Sequence, residues 1–204
     1  MIANFLFDWL HIPLPTYLDI GAHHPTKLSN TYFFYKKGAR GVCVEPDPEL
    51  HRRIRAKRKK DICLNVGVGN QNSEADFYIM SASSLNTFSK VEAERYQLGG
   101  KYSVVEKIMV PIIDVNELIE EYFDGYPNFV SLDVEGLDYE ILNTFDFQRF
   151  RPEVFCIETL TFTVDNSERK ISEIIDLMKK NNYIVYGDTY INTIFVDSDV
   201  WSRR

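Results

Sequence analysis

The sequence predicts an α/β fold: a doubly wound, mostly parallel seven-stranded sheet with a C-terminal antiparallel hairpin. Three observations predict it. Short apolar runs the length of buried strands recur along the chain and alternate with helical patterns. The first two runs each end in a carboxylate, Asp19 and Glu45, with a glycine turn and a helical segment between them. The last two runs, in NNYIVYGDTYINTIFV, are joined at Gly187-Asp188, which reads as the turn of a hairpin.

In chain order, strands are expected at 17–20, 41–45, 62–68, 129–133, 154–158, 183–186 and 192–196. Helices are expected at 29–37, 48–58, 115–123, 139–145 and 167–181, the first with Ser29 as N-cap. Residues 1–16 read as an N-terminal helical extension ended by prolines, a packing helix in preference to an anchor, and 17–204 as one domain. The insert 75–111, with SASSLNTFS and Gly99-Gly100, reads as an irregular lid or acceptor loop. Tyr96 and Tyr102 within it are candidates for stacking on a ring or for packing within the insert.

Hydrophobic residues at 45% and charged residues at 26% are ordinary for a globular protein. Three cysteines, Cys43, Cys63 and Cys156, lie in apolar runs without a CxxC pair, so buried free thiols in a reducing compartment are expected. No stretch reaches the roughly 20 apolar residues of a membrane span, and the start lacks the basic region of a signal peptide. The expected location is the cytoplasm. The net charge of −7 argues against a polyanionic partner. HRRIRAKRKK, residues 51–60, is read first as a solvated helix face and second as a phosphate-binding patch; no aromatic residues interleave with it to stack on bases, so nucleic acid is not expected.

In an open parallel sheet a ligand sits beyond the carboxyl ends of the strands, where Asp19, Gly21 and Glu45 fall. Gly21 permits a sharp turn close to a ligand, and Asp19 can organise loop amides or a ligand ammonium. Glu45 can accept from a ribose diol, with Pro46 turning the chain away behind it. The turn Gly21-Ala22-His23-His24-Pro25 has one glycine where a dinucleotide site needs G-x-G-x-x-G. A nucleoside cofactor without bridging phosphates is therefore expected, and S-adenosylmethionine fits best.

DIGAHHP, followed by LSNTYFFYKKGARGVCVEPDP and then by SLDVEGLDYEIL, resembles the FkbM family of S-adenosylmethionine-dependent methyltransferases. The resemblance runs over about 17–158, with NTIFV also similar. It implies a Rossmann-like class I methyltransferase fold and O-methylation, often of sugars or glycosylated natural products. By resemblance Asp19, Gly21 and Ala22 surround the methionine end, Glu45 holds the ribose, and NVGVGN, with Gly67 and Val68, borders the adenine. Many class I enzymes place an acid in that third loop; its absence here leaves adenine to main chain and apolar surface. Asn30 is a further cofactor candidate.

Methyl transfer to a hydroxyl needs a base, or a metal that acidifies it. SLDVEGLDYE delivers Asp133 to the carboxyl edge and Glu135 to the following loop, while Asp138 and Glu140 suit the start of the next helix. Asp133, Glu135 and His23 are the candidate catalytic residues, and Asp133 also borders the cofactor. If a hard divalent ion such as magnesium takes part, Asp133, Glu135 and Glu158 are its candidate ligands, with His23 and His24 nearby. The expected acceptor is a sugar or glycan precursor, nucleotide-linked if the basic run binds phosphate. Another small molecule, a protein side chain, a non-catalytic binding module and a homodimer stay open.

Overall fold

The computed structural model describes residues 2–134, 136–160 and 169–203. Strands β1 (Tyr17–Ile20), β2 (Gly41–Val44) and β3 (Ile62–Leu64) alternate with helices α1 (Ile2–Trp9), α2 (Tyr32–Lys37) and α3 (Pro48–Lys57). Then come β4 (Gly67–Gly69), β5 (Ser73–Met80), a 3-10 turn at Ser83–Leu85, α4 (Lys90–Leu98), β6 (Val104–Asp114) and α5 (Val115–Tyr122). The chain continues through β7 (Phe129–Leu132), α6 (Asp138–Thr144), β8 (Val154–Glu158), α7 (Ser172–Lys180), β9 (Tyr183–Asp188), β10 (Asn192–Asp197) and α8 (Ser198–Ser202).

The main sheet has seven strands in the order β3-β2-β1-β7-β8-β10-β9, with β10 antiparallel to both of its neighbours. The order reverses direction between β1 and β7, which pair in parallel from Tyr17 opposite Phe129 to Ile20 opposite Leu132. That switch point opens a crevice beyond the carboxyl ends of both strands. Strand alternation divides the core in two. Leu18, Ile20, Val130, Leu132 and Phe155 pack under α5, α6 and α7. Tyr17, Cys43, Phe129 and Cys156 pack under α1, α2 and α3. Helix α1 covers this second face through Phe7, whose ring meets Phe34 at 5.4 Å and Phe129 at 5.8 Å edge-on.

Four expectations need correcting. The run 62–68 is two strands: β3 stays in the main sheet, and β4 crosses into a second sheet of order β4-β6-β5. The insert is ordered, not irregular, because β5 and β6 form a long antiparallel pair and Tyr96 is buried with Tyr78, Met80 and Leu85 in a small core of its own. Gly187 and Asp188 lie in β9, and the hairpin turn falls at 189–191. Helix α2 starts at Tyr32, not at Ser29; the Ser29 hydroxyl nonetheless accepts from the Tyr32 amide at 3.1 Å.

The basic run holds the largest surprise. Most of it is the outer face of α3, where Arg52 and Arg53 pair with Glu49. Arg58 instead turns inward and is fully buried. Its guanidinium reaches Asp61 at 2.8 Å, Asp19 at 3.3 Å and the Thr31 hydroxyl at 2.8 Å, beneath the Tyr17 ring at 5.3 Å. The Tyr17 hydroxyl donates to Asp61 at 2.8 Å. Burial works against the Arg58 charge, but Asp19 and its other neighbours outweigh it and hold the pKa above its ordinary value. This network fastens α3 and the start of α2 to the carboxyl end of β1.

Candidate active site

A cavity of about 220 Å³ lies at the switch point. Its floor is the end of β1 and the loop that follows, its walls are the ends of β2 and β7, and its roof is the insert around Ser83 to Phe88. Of the sequence candidates, Asp19, Gly21, Ala22, His23, Asn30, Glu45, Pro46, Gly67, Val68 and Asp133 all line it. Glu158 is not among its lining residues. Glu135 lies outside the described residues.

Gly21 takes φ +77°, and a Cβ there would lie 1.8 Å from the Asp133 carbonyl oxygen. Its bare backbone makes way for the neighbouring strand end, while Gly21 also lines the cavity. The close approach sets Asp133 beside the first loop. The Asp133 pKa is raised by burial and the Asp19 charge, against a hydrogen bond with Glu158 and the proximity of His23 that lower it.

Glu45 is buried, and each oxygen accepts one loop amide: His23 N–H at 2.7 Å and Asp47 N–H at 2.9 Å. Among the described residues no basic side chain forms an ion pair with it. Burial pushes its pKa up to about 7 against the two amide bonds. Two lone pairs remain, enough for a ligand diol. The turn behind it is clamped by Asn65, whose amide donates to the carbonyls of Glu45 and Pro46 at 2.9 and 2.8 Å.

His23 is half-buried with φ +45°, and its Nε2 lies 3.1 Å from Ser83 Oγ on the roof. Burial, with His24 next to it, lowers its pKa below 6.5 in spite of Asp133 and Asp47, so the ring is neutral at pH 7. His24 shapes the loop: its Nδ1 accepts from the amides of Thr26 at 3.1 Å and Lys27 at 2.9 Å. The Asn30 amide donates to Ser131 Oγ at 3.2 Å. Asp138, expected to serve only its helix start, is fully buried and accepts from the amides of Val134 and Gly136 at 3.3 Å each. Burial and the Asp133 charge raise its pKa to about 7.

Toward β4 the cavity becomes apolar, with Leu50, Val66, Val68, Phe77 and Phe88 on its walls. The two phenylalanine rings meet at 4.7 Å, and a Cβ on Gly67 would come within 2.6 Å of Phe88. The insert is also pinned by Asn86, which accepts from the Met80 amide and donates to Asp47, at 2.8 and 2.9 Å. Phe77, Phe88 and Asn86 escape a reading of the sequence because nothing local marks an insert residue as facing a site far upstream; the pairing of β5 with β6 sets the direction of Phe77, and the bridge between Tyr78 and Thr87 holds Asn86 and Phe88 beside it. Among the described residues no group of three His, Cys, Asp or Glu side chains gathers to hold a metal, and no helix is long and apolar enough to cross a membrane.

A crevice at the switch point with a strand-end carboxylate and an apolar slot on its walls, and β10 antiparallel in a 7-stranded sheet, are the architecture of the class I methyltransferase fold. The family model described as the methyltransferase FkbM domain matches residues 19–185, and the chain belongs to that family. An FkbM methyltransferase from Methylobacillus flagellatus KT superposes with a TM-score of 0.50 at 12% identity, over 89% of this chain and 43% of its own. This chain thus spans less than half of that protein's length. The Bacillus cereus O-methyltransferase in complex with S-adenosylhomocysteine aligns at 0.44, 12% identity, 94% of this chain and 78% of its own. The 1,6-didemethyltoxoflavin-N1-methyltransferase of Burkholderia thailandensis aligns at 0.44, 11% identity, 96% and 74%. No curated protein matches the chain.

Proposed function

We propose that the chain transfers a methyl group from S-adenosylmethionine to a hydroxyl of a sugar or glycoconjugate precursor. The observation that carries this reading is one cavity joining a buried carboxylate that lacks a cation, Glu45, to a neutral imidazole, His23, with Asp133 between the strand ends. Glu45 would accept from the ribose hydroxyls, Gly67, Val68, Phe77 and Phe88 would enclose the adenine, and the loop of Gly21 and Ala22 would border the methionine end. Bound there, the sulfonium supplies a methyl carbon ready for in-line displacement.

The chain's own part is alignment and proton removal. The bound cofactor would supply the methyl carbon with its sulfur as the leaving group, and His23 would take the proton of the acceptor hydroxyl. The ring is oriented by Ser83, and Asp133 stabilises the imidazolium that forms. A sugar is favoured by the polar residues Lys27, Asn30, Ser83 and Ser84 in the cavity lining, which offer hydrogen bonds to a polyol. The basic face of α3 offers less to a nucleotide-linked acceptor than its composition suggests, since Arg52 and Arg53 meet Glu49 and Arg58 is buried.

The test is methyl transfer from labelled S-adenosylmethionine to a panel of nucleotide sugars and glycan precursors, in wild type and His23→Gln. On the accepted substrate His23→Gln should lower kcat by about 10²–10⁴-fold with S-adenosylhomocysteine affinity unchanged. Wild-type kcat should fall with acid as His23 protonates below pH 6.5. Unchanged turnover in the variant would remove His23 from the chemistry, and methylation confined to amines would remove the hydroxyl acceptor.

A further inference from the structure

Cys43 and Cys63 stand opposite each other across the β2–β3 pair, in direct parallel register. Both thiols therefore lie on the same side of the sheet, the side covered by α1, α2 and α3. Paired residues of adjacent strands are about 4.8 Å apart, inside the roughly 4.4–6.8 Å range of Cα separations that a disulfide spans. The two sulfurs also converge on one residue: Cys43 Sγ donates to Asp61 Oδ2 at 3.7 Å and Cys63 Sγ to the Asp61 carbonyl at 4.0 Å. They differ in exposure, for Cys43 is fully buried and Cys63, on the edge strand β3, is half-buried. A hydrogen bond with Cys43 lowers the Cys63 pKa, helped by Arg58 and Arg55 against burial, while the same bond and burial raise that of Cys43. Cys156 lies opposite Ser131 and Ile194, and burial pushes its thiol up to about 12.

We propose that Cys43 and Cys63 are an oxidation-sensitive pair that hydrogen peroxide closes into a disulfide, and that closure loosens the cofactor cavity. The Cys63 thiolate attacks one peroxide oxygen, the O–O bond breaks, and the released hydroxide takes up the proton that the thiol gave off, leaving as water. The Cys43 sulfur then attacks the sulfur of the Cys63 sulfenic acid, the S–O bond breaks, and the hydroxide departs with the Cys43 proton as a second water. Two thiols lose two electrons, and one peroxide is reduced to two waters. The new bond must draw the Cβ atoms to about 3.8 Å, closer than the strand spacing of about 4.8 Å. That pull acts two residues before Glu45 and two before Asn65, where the Glu45 amide donates to the Leu64 carbonyl at 3.0 Å and Asn65 clamps the carbonyls of Glu45 and Pro46. A strained disulfide is also easily reduced, which suits a reversible modification. The coupling to the cofactor rests on the reading of Glu45 above; the disulfide itself does not.

Intact-mass spectrometry and non-reducing peptide mapping of the full chain after hydrogen peroxide treatment test the pair, and calorimetry with S-adenosylhomocysteine tests the coupling. The wild type should lose the mass of two hydrogens, link Cys43 to Cys63 and bind S-adenosylhomocysteine about tenfold more weakly, all reversed by dithiothreitol. Cys63→Ser should form no link and keep its affinity through the treatment, and Cys43→Ser should stop at a sulfenic acid on Cys63 that dimedone traps. Cys156→Ser should behave as the wild type does. If Cys43→Ser fails to fold, Cys63→Ser decides. Both thiols left free, a link through Cys156, or Cys63 carried on to sulfinic acid without a link would overturn the pair. A Cys43–Cys63 link with unchanged S-adenosylhomocysteine affinity would overturn the coupling. Reduced wild type that does not bind S-adenosylhomocysteine would overturn the role of Glu45, and the mass measurement would still decide the disulfide.

Discussion

Asp19 and Glu45 end adjacent parallel strands and are equally buried, each 4% exposed, yet they are held in opposite ways. Asp19 belongs to an internal ion network: Arg58 reaches it at 3.3 Å and the Thr31 hydroxyl donates to it. Glu45 receives two backbone amides, and its pKa rises to about 7. The difference teaches that a strand-end carboxylate is not one kind of site. A charge compensated inside the protein is a fastening, whereas one held only by amides retains acceptor capacity for a ligand.

The comparison can be broken from either side. Arg58→Leu leaves Asp19 and Asp61 buried and uncompensated, and should lower stability by about 3–5 kcal/mol, read as a drop in the urea midpoint. A variant as stable as wild type would show that the network fastens nothing. Glu45→Gln should do the reverse. Its stability at pH 7 should change far less, since relief from the desolvation that raises the Glu45 pKa offsets the one loop N–H bond that the amide nitrogen cannot accept, but its S-adenosylhomocysteine affinity should fall roughly ten- to a hundredfold through weaker bonds to the ribose. A large loss of stability with unchanged affinity would make Glu45 a second fastening. Smaller still, Asn86→Ala releases the insert from Asp47 and should weaken cofactor binding by a few-fold, about 1 kcal/mol, as measured by calorimetry.

The central sheet was legible because its strands are short apolar runs between turn residues, and GAHHP with VEPDP marks two strand ends in one motif. Glu45 could be picked out by its place after GVCV and before Pro46. Arg58 could not. It sits in a run with six other Lys or Arg residues, and only the tertiary fold shows that the chain turns inward after α3 to bring it under Tyr17. The split of 62–68 was hidden for a related reason: ICLNVGV is apolar throughout, and nothing in it marks where the chain leaves one sheet for the other. Asp138 looked like helix-start chemistry because the loop amides it accepts are recognisable only once the loop is folded. In each case the missed role belongs to a polar residue whose partner is distant in sequence or formed by backbone.

The pH dependence of S-adenosylhomocysteine affinity tests the role of Glu45 most directly. In the free protein the Glu45 pKa is raised from 4.5 to about 7, so its ionisation opposes folding progressively across that window, and its acceptor capacity is full only above about pH 7. Calorimetry from about pH 5 to about pH 9 should show the wild-type Kd tightening as pH rises through about 7 and levelling above it. Glu45→Gln, which keeps Asp138 and His23 as titrating groups, should lose that dependence. A wild-type Kd that is flat with pH, or the same slope in Glu45→Gln, would contradict the assignment of Glu45 as the cofactor's acceptor.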